Sequence, residues 1–209
     1  MQKLIIFGGT FNPFHNGHAA ILETLNKEFP DEKIIIIPNY LPPLKDVLYQ
    51  EKNDLDIFLA HRVKMLQLML KVFPFCELDF YEVKRKCVSY TINTIKRFQE
   101  LYPTAELYYV IGSDNYFNLH NWKNYLDLIR MTNFIVINRK ETLLNEYLEY
   151  EKKFKDEVGK KDFLFLKIKP VEISSSEIKL RVEQGKEIEP LVPKIIANYI
   201  KEHNLYKAG

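Results

Sequence analysis

Cysteine is nearly missing. Cys76 and Cys87 are the only two in 209 residues. They suggest neither a disulfide framework nor a zinc site, so a reducing, cytoplasmic setting is the simpler reading. Long apolar runs are missing too, and no stretch approaches the ~18 residues of a membrane span. Between Gln2-Lys3 and the first glycines stand only Leu4 to Phe7, too short for a secretory h-region. Neither sign of charge dominates: 30 basic and 28 acidic residues leave a net charge of +2. That balance argues against a dedicated nucleic-acid binder but leaves room for a local basic pocket. There is no internal repeat and no low-complexity linker. Two nucleotide fingerprints are also missing, Gly-x-Gly-x-x-Gly and Gly-x-x-x-x-Gly-Lys-Ser/Thr, which excludes the usual dinucleotide and P-loop sites.

What remains is an ordinary globular mixture, 46% hydrophobic and 28% charged, long enough for a sizeable core. The expected organisation is one domain over 1–209, with 175–209 a C-terminal helical portion. The organising stretch comes first. An apolar run, Lys3-Leu4-Ile5-Ile6-Phe7, meets Gly8-Gly9-Thr10-Phe11-Asn12-Pro13-Phe14-His15-Asn16-Gly17-His18, and Ala19 to Glu23 then opens a helical pattern. A strand feeding a glycine-bearing loop at a helix N-terminus makes a phosphate site, because backbone N–H groups and the helix dipole both favour an anion.

Further along, apolar periodicity predicts a helix over 18–28 and a buried parallel strand over 34–37. A stiff loop follows from Asn39 to Lys45, and 46–56 reads as a polar, mobile segment. A helix is expected over 57–72, with Arg62 and Lys64 beside its apolar face. Alternation predicts a strand from Cys76 to Val83, then a basic loop Lys84-Arg85-Lys86, and a helix from Ser89-Tyr90-Thr91 to Leu101. Strands are predicted over 106–111, 134–137 and 163–168, with Trp122 in a helical segment between the first two. Residues 140–161 read as an amphipathic surface helix. Helices from Ser174-Ser175-Ser176 and from Pro193 close the chain. Such alternation means an α/β fold, an open parallel sheet with helices on both faces. The residues with chemistry, Gly8 to His18, Asn39 to Lys45, Gly112 to Asp114 and Arg139, follow strand ends and therefore share one rim, where open α/β sheets bind ligands.

Each has a plain alternative. His15 and His18 can be core or capping histidines, metal ligands without a third partner at recognisable spacing, or donors to phosphoryl oxygens. Lys45, Arg139, Lys179 and Arg181 are surface charges singly and a polyphosphate pocket together. Asp114 can cap a helix or accept from ribose hydroxyls. Trp122 can be core or stack on a flat ring. Ser174 to Ser176 can cap a helix, bind an anion, or both.

The run from Gly8 to His18 resembles the His-x-Gly-His signature of the nucleotidylyltransferase superfamily, in its bacterial nicotinate-mononucleotide adenylyltransferase form. Ile173-Ser174-Ser175-Ser176-Glu177-Ile178-Lys179 is similar to that superfamily's Ile-Ser-Ser-Thr-x-x-Arg. Between them, Pro38-Asn39-x-x-Pro42-Pro43-x-Lys45, His61-Arg62-x-x-Met65-Leu66, Ser89-Tyr90-Thr91-x-x-Thr94, Gly112-x-Asp114, Trp122 and Arg139 agree in order and spacing, and Val192-Pro193 through Asn204-Leu205-Tyr206 also fits. The resemblance implies a Rossmann-like fold and transfer of AMP from ATP to nicotinate mononucleotide, with Mg²⁺ held mainly through substrate phosphates rather than by protein ligands. It implies that Gly8, Gly9, Thr10, Phe11, Ile111, Gly112 and Asp114 hold the adenosine. His15 and His18 would bind the ATP phosphates and act in catalysis. Ser174, Ser175, Ser176 and Lys179 would take the β,γ-phosphates. Asn39, Lys45, Lys123 and Arg139 would face the mononucleotide, with Trp122 on its pyridine ring and Thr91 near its carboxylate. The implied partners are these two nucleotides, with no nucleic acid and no membrane, and a homo-oligomer is left open.

Four positions depart from the family pattern. Asn12 replaces Asp, Leu44 replaces His, Ser176 replaces Thr, and Lys179 replaces an Arg whose planar fork lysine cannot reproduce. Alternatives at this point are an adenylyltransferase for nicotinamide mononucleotide, phosphopantetheine or another phosphate acceptor, and a non-catalytic nucleotide-sensing module.

Overall fold

A computed structural model describes residues 2–43, 52–138, 144–159, 163–168 and 173–207. Six strands form one parallel sheet: β1 (Lys3–Gly9), β2 (Lys33–Pro38), β3 (Cys76–Leu78), β4 (Glu106–Gly112), β5 (Asn133–Asn138) and β6 (Leu164–Lys167), in the order β3-β2-β1-β4-β5-β6. The apolar runs form strands buried on both faces, as a parallel sheet requires. Side chains alternate across it. Ile5, Phe7, Ile34, Ile36, Val110, Ile135 and Ile137 face one core; Leu4, Ile6, Ile35, Ile37, Tyr109, Ile111, Phe134 and Val136 face the other.

The first core is closed by α1 (Asn16–Glu28), α2 (Lys52–Met69), α8 (Ser175–Glu183) and α9 (Lys194–Glu202), which contribute Ile21, Leu22, Leu66, Ile178 and Ile196. The second is closed by α4 (Thr91–Leu101), α5 (Ser113–Phe117), α6 (Tyr125–Met131) and α7 (Leu144–Val158), through Ile95, Phe98, Tyr116, Leu128 and Phe154. The expected α/β architecture, helices on both faces, is therefore present. The strand order reverses between β1 and β4, so the crevice at their C-terminal ends is the place where this topology opens a ligand site.

Local expectations needed correction in three places. The strand expected from Cys76 to Val83 stops at Leu78. Asp79 Oδ1 accepts the backbone N–H of Tyr81 at 2.7 Å and starts a short helix, α3 (Tyr81–Arg85). The apparent alternation was one helical turn, with Arg85 Nη1 reaching the Tyr81 hydroxyl at 3.0 Å across i,i+4. The basic loop at 84–86 is accordingly the end of that helix, with Lys86 in the left-handed region at φ 47°. Residues 52–56, read as part of a mobile segment, are the first turn of α2; 46–51 lie outside the described residues. Trp122 is not helical. It follows a 3₁₀ turn, Leu119–Asn121, with extended backbone, because Asn124 in the left-handed region (φ 53°) starts α6 afresh. Among the described residues, no helix is long and apolar enough to cross a membrane.

Candidate active site

A cavity of about 550 Å³ opens at the β1/β4 crevice. Gly8, Gly9, Thr10 and His18 line it from β1 and the start of α1. Asn39, Pro42 and Pro43 come from the loop after β2. Ser89, Tyr90 and Thr91 come from the start of α4. Ile111, Gly112 and Asn115 follow β4, and Trp122 and Lys123 close the far side. Lys45 and Arg139, both expected to face the mononucleotide, lie outside the described residues.

His15 is the N-cap of α1, with extended backbone. His18, three residues on, turns back so that its Nδ1 accepts the His15 N–H at 3.2 Å. This is half of a capping box, with imidazole in the place of a carboxylate. In the neutral ring the proton then sits on Nε2, assigned from that hydrogen bond, which makes Nε2–H a donor. His15 is 3% exposed and lies behind, its ring stacked on His18 at 3.7 Å. Of the pair, only His18 lines the cavity. Phe11 is buried as well. Its ring sits 5.0 Å from that of His18 and 5.3 Å from that of Phe7.

The glycine pair has a reason the sequence did not show. A Cβ at Gly8 would lie 2.1 Å from the Tyr109 hydroxyl, and one at Gly9 would lie 2.8 Å from the Phe11 ring. A Cβ at Gly112 would meet nothing within 4 Å. Gly8 and Gly9 are thus required by the protein's own side chains, whereas Gly112 borders open space. Asp114 sits in the first turn of α5, exposed and away from the lining; Asn115 takes the position on the cavity wall.

Ser174, Ser175, Ser176 and Lys179 are not on the cavity wall. The structure brings them instead to the back of the histidine loop. Ser174 Oγ caps α8 by accepting the Glu177 N–H at 3.1 Å, and Ser175 Oγ donates to the Pro13 carbonyl at 3.0 Å. The two segments most alike to superfamily signatures, 162 residues apart at this contact, touch. At the opposite end, Thr91 opens α4, whose N-terminus has no side-chain cap. The Trp122 ring stands edge-on to Tyr109 at 6.2 Å, and its Nε1 is buried without a hydrogen-bond partner. Lys123 Nζ lies 4.3 Å from the Tyr90 ring centroid, a cation–π contact that joins two sides of the cavity.

Two buried polar residues were given no role at the site by the sequence. Arg62 of α2, 1% exposed, donates from Nε to the Thr10 carbonyl at 2.7 Å. Its Nη2 donates to the Asn39 carbonyl at 2.6 Å and to Asn39 Oδ1 at 3.2 Å. Asn39 Nδ2 completes the link to Thr10 Oγ1 at 3.2 Å. A single guanidinium thus holds the loop after β1 against the loop after β2. The available signal was a lone arginine beside the apolar face of a helix. Glu82 of α3, 7% exposed, lines the cavity and accepts from Thr94 Oγ1 at 2.5 Å and from the Ser89 hydroxyl. Ser89 in turn accepts the Tyr40 N–H at 2.9 Å. Burial raises the Glu82 carboxyl above the usual glutamate value, against the two hydroxyl donors that favour its ionised form.

Seen with this geometry, residues 6–181 match the cytidylyltransferase-like family, and the chain belongs to that family. Among curated relatives, a "Probable nicotinate-nucleotide adenylyltransferase" of Staphylococcus epidermidis is 34% identical over 98% of this chain and 97% of its own length. Its namesake from Clostridium tetani is 35% identical over 99% and 100%. Among solved structures, a Plasmodium falciparum nicotinic acid mononucleotide adenylyltransferase complexed with NaAD superimposes with a TM-score of 0.79. It shares 21% identity over 99% of this chain and 98% of its own, a likeness of fold.

Glu82 generates a pH prediction. Its native carboxyl binds a proton more readily than the unfolded one, so the native state holds more protons and stability must fall as pH rises from about 4.5 through the raised native value. In urea unfolding at a series of pH values, Glu82→Gln should therefore gain on the wild type across that window and hold a constant difference above it. A difference that shrinks with rising pH contradicts the reading.

Proposed function

We propose that this chain is a nicotinate-nucleotide adenylyltransferase that carries out AMP transfer in the cavity at the β1/β4 crevice. The mononucleotide phosphate attacks the α-phosphorus of ATP. A P–O bond forms to that phosphorus, the bond to the pyrophosphate breaks, and nicotinate adenine dinucleotide and pyrophosphate leave. The observation that carries this reading is the polarity of the site. The cavity has a donor-rich histidine loop backed by α8 at one end and an aromatic, cationic wall at the other, in a chain that aligns end to end with relatives of that name.

The chemistry asks little of side chains as acids or bases. The attacking phosphate is already ionised near neutral pH, so rate comes from alignment and from stabilising charge on the phosphoryl oxygens and the leaving pyrophosphate. In this assignment His18 Nε2–H donates to an ATP phosphoryl oxygen, and the N-terminal turn of α1 adds its dipole. His15 holds His18 and acts through it. Ser174 to Ser176 and Lys179 attract the β,γ-phosphates from behind the loop. Gly8 to Thr10, Ile111 and Gly112 cradle the adenosine. Asp114, exposed on the first turn of α5 next to Asn115 on the wall, is assigned its ribose. Asn39 and Lys123 face the mononucleotide, Trp122 its pyridine ring, and the uncapped start of α4 at Thr91 its carboxylate. Donors at the phosphate end are imidazole, hydroxyl and ammonium. These suit phosphoryl oxygens rather than a hard divalent cation, so magnesium is assigned to the ATP phosphates, where it would neutralise charge. A cytoplasmic setting agrees with two free thiols, one of them, Cys87, exposed.

Pyrophosphate release with MgATP should favour nicotinate mononucleotide strongly over nicotinamide mononucleotide and phosphopantetheine. His18→Ala should lower turnover by about 10²–10³, the scale of a lost transition-state donor, while circular dichroism shows the fold retained. Trp122→Ala should raise KM for the mononucleotide more than KM for ATP. Preference for another acceptor overturns the acceptor assignment, and a folded His18→Ala protein with normal turnover overturns the role of the loop.

A further inference from the structure

Contacts with Asn12, Lys179 and Phe58 converge on Tyr206, near the C-terminus, and the first two lead straight to the phosphate end of the site. Its hydroxyl donates to Asn12 Oδ1 at 2.6 Å, 194 residues away in sequence. Asn12 is buried in the histidine loop, next to Pro13, whose carbonyl takes the Ser175 hydroxyl. The Tyr206 ring lies under Lys179, with Nζ 5.6 Å from its centroid. The other face of the network is α2, where Phe58 stacks on Tyr206 at 6.5 Å with ring planes 11° apart.

The backbone is shaped to deliver this side chain. After α9, Leu205 N–H bonds back to the Ile200 carbonyl at 3.0 Å and Leu205 is buried. Asn204 and Tyr206 both adopt the left-handed region, at φ 51° and 63°. For residues other than glycine that conformation is uncommon and carries a cost, here at two positions within three residues. The hydroxyl bond, the ring under Lys179 and the buried Leu205 offset it together.

We propose that Tyr206 is a positioning residue for the ATP-phosphate end of the site. It fixes Asn12, and through it the loop that carries His15 and His18, while its ring sets the place of Lys179. An aspartate at position 12 would accept the same hydrogen bond, but it would also set a negative charge beside groups that attract phosphate. Asn12 takes the bond without that charge. The inference rests on the assignment of the ATP phosphates to this end, and it separates the two substrates, because the contacts to Asn12 and Lys179 tie Tyr206 to the histidine loop and α8, at the end opposite Thr91, Trp122 and Lys123.

The test uses the full chain and steady-state pyrophosphate release, varying each substrate in turn. Tyr206→Phe removes only the hydroxyl and should lower kcat/KM for ATP about tenfold, the upper scale of one hydrogen bond. KM for nicotinate mononucleotide should stay within about twofold, since a lost bond at one end leaves the other unmoved. Tyr206→Ala, which also removes the ring beneath Lys179, should lose more, and Lys179→Ala should then cost less in that background than in the wild type. A merely structural tyrosine would lower thermal stability and the active fraction, leaving both KM values unchanged. That result, equal losses for both substrates, or a Tyr206→Phe enzyme like the wild type, overturns the proposal. If Tyr206→Ala does not fold, Tyr206→Phe decides alone. A wild type that releases no pyrophosphate refutes the functional reading and this inference with it; an active wild type with an unaffected Tyr206→Phe variant refutes the inference only.

Discussion

The hydrogen bond from His15 N–H to His18 Nδ1 is the constraint on which the site depends. The first N–H groups of a helix lack intrahelical partners and must find others. Here one is satisfied by an imidazole rather than by the usual Ser, Asp or Glu. The consequence is chemical: satisfying the backbone commits Nδ1 as acceptor and leaves Nε2–H as donor. The ring cannot swing away, since Phe11 and Phe14 lie 5.0 and 5.3 Å from it and His15 stacks at 3.7 Å. A donor held in this way costs no reorganisation when charge develops on a phosphoryl group, which is the condition for electrostatic catalysis.

The walls of the cavity are held by polar cross-links as much as by apolar packing. Arg62 fastens Thr10 to Asn39, Glu82 gathers Ser89 and Thr94, and Ser175 fastens α8 to Pro13. Burying such groups is costly unless their hydrogen bonds are made. Each here is made to a neighbouring loop or helix, so the cost is met only when the segments are in place. That makes the rim a cooperative unit. The loops after β1 and β2 carry little apolar surface of their own, and a buried guanidinium with two backbone carbonyls gives them a fixed relation that packing alone would leave loose.

The sheet was legible because β-branched runs such as Ile34 to Ile37 and Phe134 to Ile137 have few alternatives, and the order of strands and helices then implied the crevice. The segment after Cys76 was not legible. Its alternation suited a strand and a turn of helix equally, and the Asp79 carboxylate that accepts the Tyr81 N–H decided between them. Trp122 was misplaced for a similar reason, since a left-handed Asn124 does not announce itself in composition. At the site, the sequence marked the histidine loop and the segment Ser174 to Lys179, yet it could not tell which residues face the cavity and which stand behind. His15 and Phe11 pack against the His18 ring behind the cavity wall, and a side chain at Gly8 or Gly9 would meet Tyr109 or Phe11. Arg62 was named only beside a helix face and in the family pattern, and Glu82 not at all, because their partners are backbone groups and hydroxyls far along the chain.

The most direct measurement is the side-chain ¹⁵N spectrum of His18, recorded free and during titration with MgATP and, separately, with nicotinate mononucleotide. The neutral ring should carry its proton on Nε2, with Nδ1 unprotonated. ATP should shift the Nε2 signal while the mononucleotide alone leaves it nearly unchanged. A ring protonated on Nδ1, or a signal that answers to the mononucleotide and ignores ATP, would contradict the account.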